Sequence, residues 1–185
     1  MNPKILPFSC LVVLLILFAR NQISTSAESR NLVEDTCRKA YEEPDICVAF
    51  LRTDSRSLKA TSVKELAYIM LDICIANVTD TRNYFQRLRD AISDRRAKKA
   101  VELCVADYGF AVKYDYPRAK KKLNSNSYAE AKKLAHNGAG RAVNCSRHLT
   151  PFLSSNSPLM LQNSILQYLG LIAEGIIKLL QGKHV

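Results

Sequence analysis

"SVKELAYIMLDICIANVTDTRNYFQRL", residues 62–88, carries Val63, Leu66, Ala67, Met70, Cys74, Val78, Thr81, Phe85 and Leu88 in steps of three and four. That period lays one apolar face along a single long helix, and "TDTRNYFQRLRD" supplies its polar side. The same spacing recurs on the C-terminal side. A second helix runs from about Asp94 through Ala97, Val101, Cys104, Tyr108, Ala111 and Val112, and Pro117 after Tyr116 is expected to kink or end it. A third begins at "SYAE", where Ser127 and Glu130 have the spacing of a capping box. Its stripe is Tyr128, Ala131, Leu134 or Ala135, Gly138, Ala142, Cys145 and Leu149. After "SRHLTPFLSSNSP", a fourth helix from about Leu159 to Gln181 presents Leu166, Leu169, Ile172, Ala173, Ile176 and Leu180, with Gly182 at its C-cap. Asn137-Gly138 is a hairpin signal by itself, but it sits inside a helical stripe rather than between alternating runs. The chain therefore reads as all-α, with an antiparallel up-and-down four-helix bundle.

On the N-terminal side, "NLVEDTCRKAY" and "DICVAFLR" read as two short helices around the turn Glu42-Glu43-Pro44-Asp45. This helical hairpin sets Cys37 and Cys47 facing each other near its closed end. Further upstream, Lys4, the apolar run "ILPFSCLVVLLILFA" and the small polar "STSA" have the order of a secretory signal, with Thr25 and Ala27 as a cleavage pattern. A membrane anchor is disfavoured, because a spanning helix needs roughly 20 predominantly apolar residues and this run is shorter and contains Pro7. The expected organisation is a signal at 1–27 and one domain at 28–185, divided into a hairpin at 28–57 and a bundle at 58–185.

Taking Lys4 and Arg20 from the 27 basic residues leaves 25 against 17 acidic ones, a formal +8. Cys10 leaves with the signal, so Cys37, Cys47, Cys74, Cys104 and Cys145 remain in a chain routed through disulfide-forming compartments. Two bridges and one free thiol is the simplest arithmetic, and spacing alone leaves fifteen such arrangements open.

Chemistry finds little foothold. His136 lies beside the apolar stripe of the third helix, His148 follows Cys145 by three and His184 is near the end of the chain, placements on which a surface or capping role outweighs catalysis. No C-x-x-C occurs, and Cys145-x-x-His148 is a single pair, so neither zinc nor thiol redox chemistry is expected, and no cofactor. The basic clusters "DRRAKKA" (94–100) and "PRAKKKL" (117–123) lie on one helix or its continuation. They form a solvated face or a positive strip for a polyanion. Without interleaved aromatics, nucleic acid is disfavoured, and acidic polysaccharide is the polyanion a secreted chain meets. The fourth helix is almost uncharged, yet Gln162, Asn163, Ser164 and Gln167 interrupt it, which suits a core helix rather than a membrane or lipid anchor. Sequons stand at Asn77 and Asn144, and Asn77 is the better glycan acceptor because Asn144 precedes a cysteine.

In their order, these segments resemble the plant invertase and pectin methylesterase inhibitor family, its pollen members included. "DTCRKAYEEPDICVAFLRTDSRS" is similar to the family's opening, with Asp54, Arg56 and Ser57 in an acid-base-serine stretch. "AVELCVADYGFA" resembles its Cys-x-x-x-Tyr-x-x-Ala segment at Cys104, Tyr108 and Ala111. "SNSYAEAKKLAHNGAGRAVNC" resembles the helix ending in the fourth structural cysteine, and "SNSPLMLQNSILQYLGLIAEGIIKLL" the closing loop and helix. The resemblance implies a four-helix bundle with an attached hairpin, bridges Cys37–Cys47 and Cys104–Cys145, and a free Cys74 in the core. It also implies a secreted, non-catalytic inhibitor that binds one carbohydrate-active enzyme one-to-one and occludes its substrate cleft. Pectin methylesterase is favoured over invertase, in the apoplast or cell wall, with the vacuole as the other compartment. Departures are also legible: the segment from Ala111 to Ala119 is one residue longer than usual, and "SRHLTPF" replaces the family's acidic continuation after Cys145. The Pro-Lys-Phe stretch associated with invertase-type members is missing, and Thr150-Pro151-Phe152 stands in this loop. The alternative reading is a wall-associated binding or signalling bundle that holds acidic pectin through its basic strip.

Overall fold

Helix α3, Val63–Ala91, is the longest element and starts where the sequence supplies a cap: Ser62 Oγ accepts from the Glu65 amide at 3.2 Å, and Glu65 Oε2 accepts from the Thr61 amide at 2.8 Å. The computed structural model describes residues 31–182. The segment read as a signal, Cys10 within it, and the tail with Lys183 and His184 lie outside the described residues.

Two short helices precede α3. Helix α1 covers 31–40 and α2 is Pro44–Arg52, with Pro44 in the first turn, where no amide hydrogen is needed. Cys37 and Cys47 join them, with an S–S distance of 1.99 Å. Arg52 pairs with Glu34 at 2.8 Å toward the open end. A single 3-10 turn, Ser55–Lys59, capped by Asp54, leads into α3.

After α3 come α4 (Arg95–Phe110), α5 (Tyr116–Asn124), α6 (Tyr128–Leu149) and α7 (Pro158–Gln181). Helices α4 and α5 form one helical path. This path, α3, α6 and α7 are the four members of the bundle, each packed on its chain neighbours, with α3 closing against α7. Of the positions assigned to the fourth stripe, Leu166, Leu169, Ile172, Ala173, Ile176 and Leu180 are all buried. Each fully buried Leu or Ile contributes about 1.5–3 kcal/mol relative to exposure. In the third stripe Ala135, rather than Leu134, takes the inward position.

Two local expectations give way. Pro117 neither ends nor unwinds the second helix. The α register is instead interrupted by a π-helical turn, Ala111–Asp115, where the Tyr116 amide donates to the Ala111 carbonyl five residues back. The turn takes up one residue more than an α turn would, and Pro117 falls in the first turn of α5. Ala111, Asp115 and Tyr116 are all buried along this turn.

The capping box at Ser127 does not form either. Ser127 is already engaged by the end of α5: its amide donates to the Lys122 carbonyl at 2.9 Å, and the Asn126 amide donates to the Leu123 carbonyl at 3.2 Å. This is a Schellman motif, with Asn126 in the left-handed conformation at φ 58°. Glu130, free of capping duty, pairs with Lys122. Asn126 also accepts from Lys64 Nζ at 2.7 Å and from the Tyr128 hydroxyl at 2.8 Å. Asn126→Ala is therefore expected to lower unfolding free energy by about 1–2 kcal/mol through left-handed strain. Asn126→Gly loses less, and urea titration of the two variants orders them.

Glycines decide how closely the helices meet. A Cβ at Gly175 of α7 would lie 2.0 Å from the Ala40 carbonyl oxygen, so the hairpin rests its backbone directly on α7. Gly175→Ala is expected to cost about 1–3 kcal/mol by overpacking, and proteolysis or hydrogen exchange of 31–52 reads out the detached hairpin.

In the core, the Tyr116 ring occupies a notch between α6 and α7. A Cβ at Gly138 would meet that ring at 2.4 Å, and one at Gly170 would meet its hydroxyl at 2.8 Å and Ala139 Cβ at 2.7 Å. Tyr116 is fully buried, and its hydroxyl makes no hydrogen bond of good geometry. Burial pushes the Cys74 thiol and the Tyr116 hydroxyl above their ordinary ranges, so Cys74 is a protonated core thiol rather than a nucleophile.

Candidate protein-binding surface

Cys104 on α4 and Cys145 on α6 are joined across the bundle, with an S–S distance of 2.12 Å. Beside them Asn163 of α7, buried and polar, donates from Nδ2 to Cys145 Sγ at 3.4 Å and accepts from the Tyr108 hydroxyl. The polar atoms at this junction are thus satisfied internally, and sequence spacing gave no sign of the Asn163 contact.

The histidines do not assemble a catalytic group. His148 Nε2 lies 3.3 Å from Asp107, and His136 Nδ1 lies 2.8 Å from Glu174 on the other side of α6. Since Cys145 is bridged and His148 faces Asp107, that Cys/His pair does not share a ligand position. Among the described residues no cluster of His, Cys, Asp and Glu could hold a metal ion, and no helix is long and apolar enough to cross a membrane. Both sequons fall within helices. Asn77 is half-buried and donates to the Ile73 carbonyl at 2.9 Å, while Asn144 Oδ1 accepts from Arg147 at 3.4 Å.

Fixed charge holds the helices in register. Asp115, almost fully buried at the π turn, accepts from Arg141 Nε at 2.9 Å, and the same guanidinium lies 3.7 Å from Asp107. At the other junction Arg56 bridges Asp54 (2.7 Å) and Asp72 (3.1 Å), and Lys120 of α5 also pairs with Asp72. The hydrogen bond from Arg56 holds the Asp54 carboxyl below the usual carboxylate range. The acid-base-serine stretch thereby ties the 3-10 turn to α3 and α5. It serves architecture.

Two exposed surfaces remain on the α4–α5 path. The basic clusters lie at its opposite ends, Arg95 and Arg118 being roughly 35 Å apart along the helix at 1.5 Å per residue. At the α4 end, Arg95, Arg96, Lys99 and Leu103 form a groove of about 440 Å³ with His148, Pro151 and Phe152. The replaced loop after Cys145 and the first basic cluster therefore meet, although 50 residues separate them in the chain. Phe152 and Leu103 are both 39% exposed, and neither Arg95 nor Arg96 has an ion-pair partner among the described residues. The second surface lies between the clusters, where Phe110 and Tyr114 project outward. The sequence clusters contain no aromatic residue; the interleaving comes from the helix face.

A disulfide-stapled helical bundle whose distinctive side chains are exposed cations and aromatics is a binding scaffold. The chain belongs to the plant invertase/pectin methylesterase inhibitor family, whose sequence profile matches residues 31–158. Among solved structures it is similar to a mutant form of a pectin methylesterase inhibitor from Arabidopsis, at 25% identity and a TM-score of 0.66, covering 77% of this chain and 92% of that one. It is also similar in fold to a pectin methylesterase inhibitor from Arabidopsis thaliana, at 24% identity and a TM-score of 0.60, covering 81% and 96%. None of the curated proteins matches the chain. Members of the family are non-catalytic inhibitors and typically secreted, and this protein is not an enzyme.

Proposed function

We propose that the protein inhibits pectin methylesterase, in preference to invertase, by seating a helix face over the enzyme's substrate cleft in a one-to-one complex. The observation that carries this reading is the groove at the α4 end, where Arg95 and Arg96, without ion-pair partners among the described residues, flank exposed Phe152. An aromatic anchor beside arginines has the composition of an interface hot spot. A cleft that accepts a polyanionic substrate is an environment where electrostatic complementarity favours some partners strongly over others, and a basic inhibitor would use it. Family membership and the names of the two similar structures support the class of target. The apoplast or cell wall is the compartment that goes with residues 1–27 as a signal.

Titrating the purified protein against a plant pectin methylesterase and a plant invertase over the apoplastic pH range tests the reading. Stoichiometric loss of esterase activity is expected, with weaker or no effect on invertase. Phe152→Ala with Arg96→Gln is expected to raise the inhibition constant about tenfold or more, the equivalent of 1.4 kcal/mol. Activity of both enzymes unchanged at equimolar and excess protein rules the proposal out.

A further inference from the structure

We propose that the shelf made by Phe110 and Tyr114, on the outer face of the α4–α5 path, binds a chain of carboxylated sugars. The rings receive sugar faces, and Arg82, Lys113 and Arg118 receive carboxylates. The site shares no lining residue with the Phe152 groove, and the inference stands apart from the inhibitor reading.

Exposure comes first. Phe110 and Tyr114 are 49% and 47% exposed, two large aromatic side chains presented to water next to each other. Their ring centroids are 5.7 Å apart with planes 37° from each other, which makes a shallow continuous shelf rather than two separate side chains. Cations steady both rings. The Arg141 guanidinium lies 5.0 Å from the Phe110 centroid, and that of Arg118 lies 5.8 Å from the Tyr114 centroid. Arg141 is committed to Asp115 and Asp107, so its role is to hold the shelf in place.

Charge comes second. Arg82 reaches the groove from α3 with an enclosed Nε that has no hydrogen-bond partner. A Cβ at Gly109 would lie 3.5 Å from that atom, so glycine leaves the groove floor open over the guanidinium. Lys113 and Arg118 have no acidic partner among the described residues. The one carboxylate lining the groove is Glu102, and it lies 3.4 Å from Lys99. Arg82 and Lys113 in the groove and Arg118 over Tyr114 therefore border the shelf with no acidic partner among the described residues.

Shape comes third. The groove holds about 340 Å³, within the roughly 300–1,000 Å³ of small-ligand clefts. A carboxylated sugar meets all three conditions at once. It has an apolar C–H face for the ring, a carboxylate for the guanidinium, and a repeat that continues toward Lys121 on the same side of the helix.

The experiment measures binding of labelled de-esterified oligogalacturonate to the intact secreted protein at physiological salt. Comparison probes are the fully methyl-esterified oligomer, a sulfated oligosaccharide of equal charge, and single-stranded RNA. The double variant Phe110→Ala/Tyr114→Ala is expected to bind the de-esterified oligomer about tenfold more weakly. Lys113→Gln/Arg118→Gln is expected to weaken it similarly, while Lys132→Gln/Lys133→Gln on α6 removes the same charge with less than about a twofold effect. The methyl-esterified oligomer is expected to bind at least about tenfold more weakly than the free acid.

Equal binding of wild type and the aromatic variant, or equal or tighter binding of the sulfated sugar or RNA, overturns the proposal. So does loss of affinity of the aromatic variant for purified target enzyme in sugar-free buffer, which would make the shelf a protein contact. Sugar binding without inhibition of either enzyme supports this inference while sinking the inhibitor reading, and inhibition without sugar binding does the reverse.

Discussion

Alanine at both Cys104 and Cys145 is expected to lower the unfolding free energy by about 4 kcal/mol. The two residues are 41 positions apart, and releasing a loop of that length returns roughly that much chain entropy to the unfolded state. At the two to four degrees per kcal/mol typical of domains of this size, Tm falls by about 8–16 °C. A second loss reinforces the first, because removing Cys145 Sγ takes away the acceptor of the buried Asn163 Nδ2 donor. The Cys37–Cys47 bridge closes a separation of only 10 residues, and its removal by the same substitution costs nearer 3 kcal/mol on the same scale. Urea and thermal unfolding of the two double variants checks the order. A smaller effect at Cys104–Cys145 than at Cys37–Cys47 contradicts it.

The other large effect is at the Tyr116 notch. Gly138→Ala places a methyl group 2.4 Å from Cζ of the fully buried Tyr116 ring, and overpacking a close-packed core costs about 1–3 kcal/mol, occasionally more. Tyr116→Phe does not relieve it, since ring carbons and not only the hydroxyl occupy the space. Tyr116→Leu does, at the cost of its own lost packing. In the double variant the two changes are expected to be less damaging than their sum by more than about 0.5 kcal/mol, the coupling expected of residues in contact. Additive losses would mean that α6 and α7 part at Gly138 and the notch is not shared.

Much of this architecture is legible from residue spacing, because an amphipathic helix in a bundle is stabilised by the same one-sided burial that makes its sequence periodic. Cys74, Cys104 and Cys145 lie on the faces the stripes assign, and the hairpin turns at Glu42 to Pro44. What spacing misses are features set by backbone register and by competition between neighbours. The Ser127 capping box fails because the same residue closes the Schellman turn of α5, a conflict that a motif read from one helix at a time does not contain. Phe110 and Tyr114 pass unnoticed as an exposed pair because their face depends on how the chain winds through Ala111–Asp115. The meeting of Arg95 and Arg96 with Phe152 requires the loop after α6 to fold back onto the start of α4, a distant contact that charge clustering alone does not reveal. The basic clusters themselves are plain in the sequence.

The π turn at Ala111–Asp115 also bears on how such a scaffold can diversify. One residue inserted into a regular helix would rotate everything beyond it by about 100° and turn a core stripe toward solvent. Here the wide turn confines that rotation to five residues, and Ala119 and Leu123 still face inward. An insertion can therefore be accepted in the middle of a packed element without a compensating change elsewhere. It changes which side chains are displayed at Lys113 and Tyr114 while the bundle beneath keeps its course. Surface novelty in this fold can arise through length as well as through substitution.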